Sequence, residues 1–196
     1  MSSFELLYFP INNGRATITK LMLNVGGAKW KLTTPDWPSA KQTMPYGRLP
    51  VLIETCTDGS KFTLCESKAI ERYVAHKFGF LPSDAKEAAT AEQYVDNIAD
   101  SIEAYVAYNF IEKSDTSKEK LINTVKYLVS KHEPILAANP SGHYIGNNLS
   151  YPDFAIYLLH SVLKQIGMCD LISDSTAPHM YKLIKKMSEN PSIASA

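Results

Sequence analysis

Two side chains near the beginning of the chain have the chemistry to stabilise an anion. Tyr8 ends the first predicted strand, and Arg15 opens the first predicted helix. A phenol with a pKa near ~10 keeps its proton at neutral pH and can donate a hydrogen bond, whereas a guanidinium and the unpaired N–H groups of a helix start both attract negative charge. The same positions also fit a core tyrosine with its hydroxyl at the surface and a solvated arginine.

Two further pairs of residues are suited to binding carboxylates. Trp37 and Lys41 are four residues apart, so one helical turn would place an indole N–H beside an ammonium group. Ser67 stands at the start of a predicted helix, where unpaired N–H groups and the helix dipole attract a carboxylate, and the preceding Glu66 can accept a hydrogen bond from an amine. The alternatives are plain packing for the first pair and an ordinary helix N-cap for the second.

A proline at the start of an apolar run provides a third kind of contact. Pro50 precedes Val51 and Leu52, and it removes a backbone donor from the beginning of the predicted strand. A cis bond between Leu49 and Pro50 would turn the N–H and C=O groups of Leu49 toward a ligand. An edge-strand proline in a tight turn is the alternative.

The elements that must position these residues follow two sequence patterns. Between Phe4 and Phe78, short apolar runs alternate with amphipathic stretches, which predicts the order βαβ and then ββα in a small mixed sheet of the thioredoxin type. After a break at Gly79, the sequence has only long amphipathic segments, which predict a helical bundle. The predicted strands are 4–8, 29–32, 51–54 and 61–64, and the predicted helices are 14–25, 67–78, 85–110, 117–138, 150–166 and 177–189.

The sequence therefore predicts an α/β plus all-α protein with two domains. We expect a thioredoxin-like domain over residues 1–78, a linker over 79–86 and an all-helical domain over 87–196. Within the second domain, Ser150 and Asp153 have the spacing of a capping box, with Pro152 in the first turn of the helix. That motif is structural.

Composition and charge exclude several classes of function. The chain has 196 residues, of which 20 are basic and 20 acidic, and its formal net charge is zero. This balance provides no field that would attract nucleic acid or an anionic membrane. Three widely spaced cysteines without a CxxC pair argue against a disulfide framework, and the histidines lack the spacings of a metal site. With no signal-like start and no stretch that could span a bilayer, we expect a cytoplasmic protein without a metal.

Several stretches, in their order and spacing, resemble those of the glutathione S-transferases. In the first half they are Tyr8-Phe9-Pro10 with Gly14-Arg15-Ala16, Asp36-Trp37-Pro38 with Lys41, Pro45-Tyr46-Gly47-Arg48-Leu49-Pro50, and Glu66-Ser67-Lys68-Ala69-Ile70-Glu71-Arg72-Tyr73. Gly146 and Ser150-Tyr151-Pro152-Asp153 extend the likeness into the second half. The chain resembles the sigma-like class, which also includes glutathione-dependent prostaglandin isomerases and the S-crystallins of the lens.

The resemblance implies a role for each candidate residue. Tyr8 and Arg15 would be catalytic and would stabilise the thiolate of glutathione as the co-substrate. The implied glutathione-binding residues are Tyr8, Trp37, Lys41, Arg48, Leu49, Pro50, Glu66 and Ser67, and the implied acceptor site consists of Phe9, Ala107, Ile111, Ala155 and Leu159. The resemblance also implies a homodimer, with Arg72, Asp96 and Asp100 as candidate interface groups.

One departure from the family pattern lies on the first helix of the second domain. Ala104 stands where the family has an aspartate that contacts glutathione bound to the neighbouring subunit. The preceding acids Asp96, Asp100 and Glu103 share one helical face at a repulsive cost of a few tenths of a kcal/mol per pair. We interpret them as a solvated acidic face rather than a metal site.

The leading hypothesis is an enzyme that conjugates the glutathione thiolate to a hydrophobic electrophile, as in detoxification. One alternative is a glutathione-dependent isomerase or peroxidase that uses the same thiolate. The other is a non-catalytic structural or carrier protein of the S-crystallin kind. An assay with glutathione and an aryl halide separates the enzyme from the carrier.

Overall fold

The computed structural model describes residues 2–194 of the chain. The chain divides into two compact units. One contains the residues up to Gly79 together with a short stretch from Ser192, and the other spans Phe80–Pro191. The predicted fold class, a mixed sheet domain followed by a helical domain, is confirmed.

The first unit is built on a four-stranded sheet with the strand order β2-β1-β3-β4. Its strands are β1 (Ser3–Leu7), β2 (Lys29–Thr33), β3 (Val51–Thr55) and β4 (Lys61–Cys65). β1 is parallel to β2 and antiparallel to β3, and β3 is antiparallel to β4. This is the predicted βαβ and ββα arrangement, because α1 (Thr17–Val25) connects the parallel pair and α2 (Ser67–Lys77) follows the hairpin.

Buried apolar side chains on the sheet and on the two helices form the core of this unit. Phe4 and Leu6 alternate with less buried residues along β1, and Ile18 and Met22 on α1 are almost completely buried. The turn between β3 and β4 has Gly59 at φ +85°, a conformation that favours glycine. The Asp58 carboxylate there accepts the backbone N–H of Ser60 at 2.9 Å. Asp58 and Gly59 therefore form the tight turn of the β3–β4 hairpin.

The second unit is helical. Its helices are α3 (Ala85–Val106), α4 (Asp115–Ala138), α5 (Tyr151–Gln165) and α6 (Pro178–Ser188). A short helix, α7 (Pro191–Ala194), follows in sequence, and its residues from Ser192 are grouped with the first unit. α5 packs against α3 and α6, and two thirds of its residues are buried. The burial of one face on each of the other helices explains the amphipathic pattern of their sequences.

Two polar side chains in the core of this unit, those of Asp153 and His132, have hydrogen-bond partners. The Asp153 carboxylate accepts the backbone N–H groups of Ser150 at 2.7 Å and Tyr144 at 3.0 Å, so the predicted capping box is confirmed. His132 on α4 contacts Tyr144 Oη through Nδ1 at 3.0 Å and Asn97 Oδ1 through Nε2 at 2.9 Å. Burial lowers the pKa of His132 to about 4, so the imidazole is neutral at physiological pH.

Three helix boundaries differ by two or more residues from those that the sequence predicts. α1 begins at Thr17 instead of 14, because Thr17 Oγ1 accepts the N–H of Gly14 at 2.8 Å and fixes a turn ahead of the helix. α3 ends at Val106 and continues into the π-helical turn Ala107–Ile111. α4 begins two residues early, at Asp115, because Ser114 caps it through the N–H of Ser117.

Candidate active site

A cavity of about 500 Å³ in the first unit brings most of the predicted site residues together. Its lining includes every predicted glutathione-binding residue except Tyr8, and it also includes Phe9 and Arg15. The residues that line it are Phe9, Arg15, Trp37, Lys41, Tyr46, Gly47, Arg48, Leu49, Pro50, Cys65, Glu66 and Ser67. Segments that are widely separated in sequence therefore meet at one site.

Tyr8 comes directly after β1 and contacts two residues that line this cavity. Its hydroxyl accepts the backbone N–H of Arg15 at 2.9 Å, and its ring lies 5.5 Å from the ring of Phe9. Both of these neighbours line the cavity. A tyrosine hydroxyl has one proton to donate and lone pairs to accept with. Because Tyr8 is the acceptor toward Arg15, its own proton stays available for another partner.

Side chains from α1 hold the loop that connects Tyr8 to Arg15. Thr17 Oγ1 accepts the N–H of Gly14 and donates to the carbonyl of Asn12 at 3.0 Å. Lys20 Nζ donates to the carbonyl of Ile11 at 3.1 Å. Lys20 is only 7% exposed, and burial lowers its pKa. Three hydrogen bonds from two side chains therefore fix this loop against the helix.

Lys41 lies in a short helical segment, Ser39–Thr43, and Trp37 lies two residues ahead of it; both line the cavity. The Ala40 N–H donates to the carbonyl of Asp36 at 2.7 Å, which supplies the helical turn expected at this position. The Trp37 ring packs edge-on against the Phe9 ring, with centroids 5.7 Å apart, and the Lys41 side chain is exposed. The cavity lining therefore includes an aromatic pair and an exposed lysine from this part of the chain.

The proline-led strand borders the same cavity. The bond between Leu49 and Pro50 is cis. The bond between Trp37 and Pro38 is also cis, and the sequence patterns did not predict that second cis bond. Pro50 is buried directly ahead of β3, and Leu49 is partly exposed. Gly47 has φ +60° in the turn ahead of them, where a residue with a side chain would be strained.

Glu66 and Ser67 mark the start of α2. Glu66 has φ 69°, and among residues 2–194 it is the one residue other than glycine with a positive φ. Such a conformation costs on the order of 1 kcal/mol and is common at ligand sites. The Glu66 side chain makes no capping hydrogen bond to the helix, so the two residues do not form the ordinary N-cap pair. The start of α2 therefore faces the cavity with its backbone N–H groups uncapped by a side chain.

Tyr46, Gly47 and Cys65 line the cavity although the sequence reasoning did not assign them to the site. Gly47 and Cys65 are each adjacent in sequence to an assigned residue, and Tyr46 lies two residues before Arg48. That proximity in sequence is the signal that could have found them. Burial and the neighbouring Glu66 carboxylate raise the pKa of the Cys65 thiol. This thiol is therefore poorly suited to act as a nucleophile.

The charged side chains of the cavity favour an anionic ligand. Arg15, Lys41 and Arg48 line it together with a single carboxylate, that of Glu66. A concave surface with an excess of cations concentrates anions and holds carboxylates. Among residues 2–194, no group of three or more His, Cys, Asp and Glu side chains is arranged to hold a metal ion.

The residues expected to bind an acceptor have mixed placements. Phe9 belongs to the first unit and lines its cavity, whereas Ala107 and Ile111 lie in the π-helical turn of the second unit, where Ile111 is 79% exposed. Ala155 and Leu159 on α5 are completely buried. An acceptor cannot touch a side chain without exposed surface, so the structure contradicts the role predicted for these two residues.

The acidic residues of α3 have the exposure expected of a solvated face. Asp96, Asp100 and Glu103 are exposed, and Ala104 beside them is buried.

In the part of the chain from Ser2 to Ala194, no helix combines the length and apolar character needed to cross a membrane.

Comparisons with known proteins show the family to which the chain belongs. Residues 84–195 match the model of the glutathione S-transferase C-terminal domain. Glutathione S-transferase 3 of Caenorhabditis elegans is 30% identical over 200 residues, which cover 96% of this chain and 90% of the relative. The hematopoietic prostaglandin D synthase of Gallus gallus is also 30% identical, over 79% of this chain and 76% of its own.

Solved structures give the same result for the fold. A monomeric glutathione S-transferase of the hookworm Necator americanus superposes with a TM-score of 0.78 at 28% identity, over 98% of this chain and 95% of its own. The family match covers more than half of the sequence, and the relative from Caenorhabditis elegans is similar along nearly all of it. The chain therefore belongs to the glutathione S-transferase family, as a sigma-like member.

Proposed function

We propose that this protein is a glutathione transferase that uses Tyr8 to hold glutathione as a thiolate and transfers that sulfur to hydrophobic electrophiles. The observation that carries the proposal is the hydrogen bond from the Arg15 N–H to the Tyr8 hydroxyl. This bond fixes the hydroxyl as an acceptor on one side and leaves its proton for a sulfur atom on the other. A thiol with an ordinary pKa near ~8.5 is only a few per cent thiolate at neutral pH, so such a donor has a large effect.

The lining of the cavity supports glutathione as the bound thiol. The tripeptide has two separated carboxylates and one amine. We assign its γ-glutamyl carboxylate to the N–H groups at Ser67 and its glycine carboxylate to Trp37 and Lys41, with Arg48 at the edge. Glu66 is the one carboxylate in the lining, and we assign it to the amine. Leu49 and Pro50 would contact the middle of the tripeptide.

The proposed reaction follows from these positions. The bound thiol loses its proton to solvent, and the Tyr8 O–H donates a hydrogen bond to the resulting sulfur anion. Arg15 and the nearby start of α1 add positive potential. The sulfur then forms a bond to the electrophilic carbon, and the leaving group departs with its electron pair. Loss of the thiol proton before attack is the step that Tyr8 favours, because the hydrogen bond from Tyr8 stabilises the sulfur anion.

An assay with glutathione and an aryl halide tests the proposal. We expect conjugation above the uncatalysed rate, and retention of the protein on immobilised glutathione at neutral pH. Glutathione dimethyl ester is the matched control, because it retains the thiol and the amine but lacks both negative charges. The ester should have a much higher KM than glutathione. If the protein neither binds glutathione nor accelerates conjugation, the proposal is wrong.

A second candidate function is a glutathione-dependent isomerase. Hematopoietic prostaglandin D synthases of chicken and of human are 30% and 26% identical to this chain, respectively. Such an enzyme would use the same thiolate on a different acceptor, and it would release glutathione unchanged at the end of the reaction. Net consumption of glutathione therefore separates the two functions. A panel of acceptors that includes lipid endoperoxides and hydroperoxides also tests the peroxidase alternative.

We also propose a homodimer, a cytoplasmic location and the domain limits 1–78 and 87–196 with a linker between them. The three cysteines are free, which is typical of a reducing compartment. A similar hookworm transferase is described as monomeric, so the oligomeric state needs a direct measurement. Sedimentation at micromolar concentration should give a mass of twice 21.8 kDa. A mass of one chain would contradict the dimer.

A further inference from the structure

We infer that Gly14 is a positioning residue for the Tyr8 hydroxyl, because only a residue without a side chain leaves room for that hydroxyl to accept the Arg15 N–H. This inference rests on the proposed function, since it explains how the proposed catalytic group is held. A β-carbon at Gly14 would lie 2.8 Å from the Tyr8 hydroxyl oxygen and 3.1 Å from the ring carbon Cε1. Both distances are shorter than ordinary van der Waals contact between such atoms.

Glycine is required at residue 14 because a side chain has no room there, and not because the backbone has a positive φ. Seven of the nine glycines have a positive φ, and Gly14 is not one of them. An alanine at residue 14 would therefore not have to adopt the left-handed conformation that L side chains disfavour. What alanine adds is a methyl group at the place that the Tyr8 hydroxyl already occupies.

The loop cannot easily move away to relieve the contact. Thr17 binds the N–H of Gly14 and the carbonyl of Asn12, and the buried Lys20 binds the carbonyl of Ile11. The methyl would also meet Ile11 Cδ1 at 2.9 Å, but Ile11 is 45% exposed and its side chain can turn into solvent. Tyr8 is 6% exposed and has a rigid ring, so relief comes from displacement of its hydroxyl.

Displacement of the hydroxyl has a specific chemical consequence. The oxygen would leave the Arg15 N–H, which now lies 2.9 Å away, and the O–H would lose its fixed direction toward the sulfur. The contacts assigned to the two carboxylates of glutathione lie on other segments of the cavity. The substitution Gly14→Ala should therefore act on the thiol pKa and on turnover, with little effect on the KM for glutathione.

The test is a double-mutant cycle between Gly14→Ala and Tyr8→Phe. In the parent protein, Gly14→Ala should move the pKa of the pH–rate profile up by about one unit and lower kcat at neutral pH about tenfold, because one pKa unit changes the thiolate fraction by that factor. In the Tyr8→Phe background the same change should have less than about a twofold effect, since the displaced hydroxyl is already absent. The ring carbon at 3.1 Å then needs only a small shift.

Gly26→Ala is the matched control. Gly26 is the other glycine among residues 2–194 without a positive φ, and a β-carbon there would meet the Phe78 ring at 2.5 Å, at the opposite end of α1. This variant should lower the melting temperature and leave the pH–rate profile unchanged. It separates a general loss of stability from an effect on Tyr8.

Each outcome distinguishes the inference from the proposed function. If Tyr8→Phe moves the pH–rate profile and Gly14→Ala does not, the inference is wrong and the proposed function stands. If Tyr8→Phe has no effect, the proposed function fails. A crystal structure of Gly14→Ala then decides the inference alone, since a Tyr8 Oη to Arg15 N distance still near 2.9 Å would overturn it. If the Gly14→Ala variant does not fold, the double variant Gly14→Ala/Tyr8→Phe should still fold, because it lacks the displaced hydroxyl. If neither variant folds, the inference is also wrong.

Discussion

The neutral imidazole of His132 gives the stability of this protein a specific dependence on pH. Its Nδ1 and Nε2 atoms contact Tyr144 Oη and Asn97 Oδ1. A neutral ring satisfies both contacts, with Nε2–H donating to the amide oxygen and Nδ1 accepting from the hydroxyl. A protonated ring would present a second N–H to Tyr144 Oη and would place a charge in a site that is 2% exposed.

The direction of the effect follows from the two pKa values. The pKa of His132 falls from 6.5 in the unfolded chain to about 4 in the folded protein, so the unfolded state binds more protons between these values. The contribution of the neutral His132 to the free energy of unfolding is therefore complete above pH 6.5, and it is lost progressively as the pH decreases toward 4. At 1.36 kcal/mol for each pKa unit, His132 should reduce the free energy of unfolding by about 2 kcal/mol at pH 5 and about 3 kcal/mol at pH 4.

Urea unfolding of the parent protein and of His132→Gln at pH 7.5, 6 and 5 measures this contribution. Glutamine retains a donor for Asn97 but leaves the Tyr144 hydroxyl without its acceptor, so the variant should be less stable at pH 7.5 by about 1–3 kcal/mol. The difference between the two proteins should shrink as the pH falls. Carboxylates that titrate in both proteins cancel in that difference. Parallel curves from pH 7.5 to 5 would refute the reasoning.

Two further substitutions test the cavity and the helical core. Lys41→Ala should raise the KM for glutathione more than it lowers kcat, because it removes a binding contact distant from the sulfur. Lys126→Ala, on the exposed side of α4, is the control. An equal loss in kcat and kcat/KM would contradict the assignment of Lys41. Asp153→Ala should lower the free energy of unfolding by at least about 3 kcal/mol, because it leaves two buried backbone N–H groups without an acceptor. Asp58→Ala in the exposed hairpin turn should have a much smaller effect, and equal melting temperatures for the two variants would exclude the proposed role of Asp153.

The sequence predicts the order of the elements well because burial of one face leaves a clear period in the residues. The strands show as short apolar runs, and the hairpin turn at Gly59 and the capping box at Ser150 depend on contacts between residues close in sequence. The segments that line the cavity were also recognisable, since each contains a residue suited to a carboxylate or a thiolate. Cys65 and Tyr46 were missed because their types give no indication of such a role.

The remaining features depend on contacts that periodicity does not record. The start of α1 depends on which backbone N–H the Thr17 hydroxyl binds, and the orientation of Tyr8 depends on the loop that Thr17 and Lys20 hold. The positive φ of Glu66 is unfavourable for its residue type and is maintained by the surrounding fold. Ala155 and Leu159 lie on an amphipathic helix, and the sequence alone did not reveal that the packing leaves neither of them any exposed surface.

The most direct test of the proposed mechanism is the pKa of the glutathione thiol bound to the parent protein and to Tyr8→Phe. The ultraviolet absorption of the thiolate in the binary complex reports this pKa without an acceptor substrate. A hydrogen bond to a charged partner contributes about 1.5–3 kcal/mol, so loss of the hydroxyl should raise the bound thiol pKa by about one to two units, toward ~8.5. Tyr127→Phe, at a tyrosine that is 62% exposed on α4, should leave the titration unchanged. If the parent protein and Tyr8→Phe titrate at the same pH, Tyr8 does not activate the thiol, and Arg15 with the start of α1 becomes the group to test.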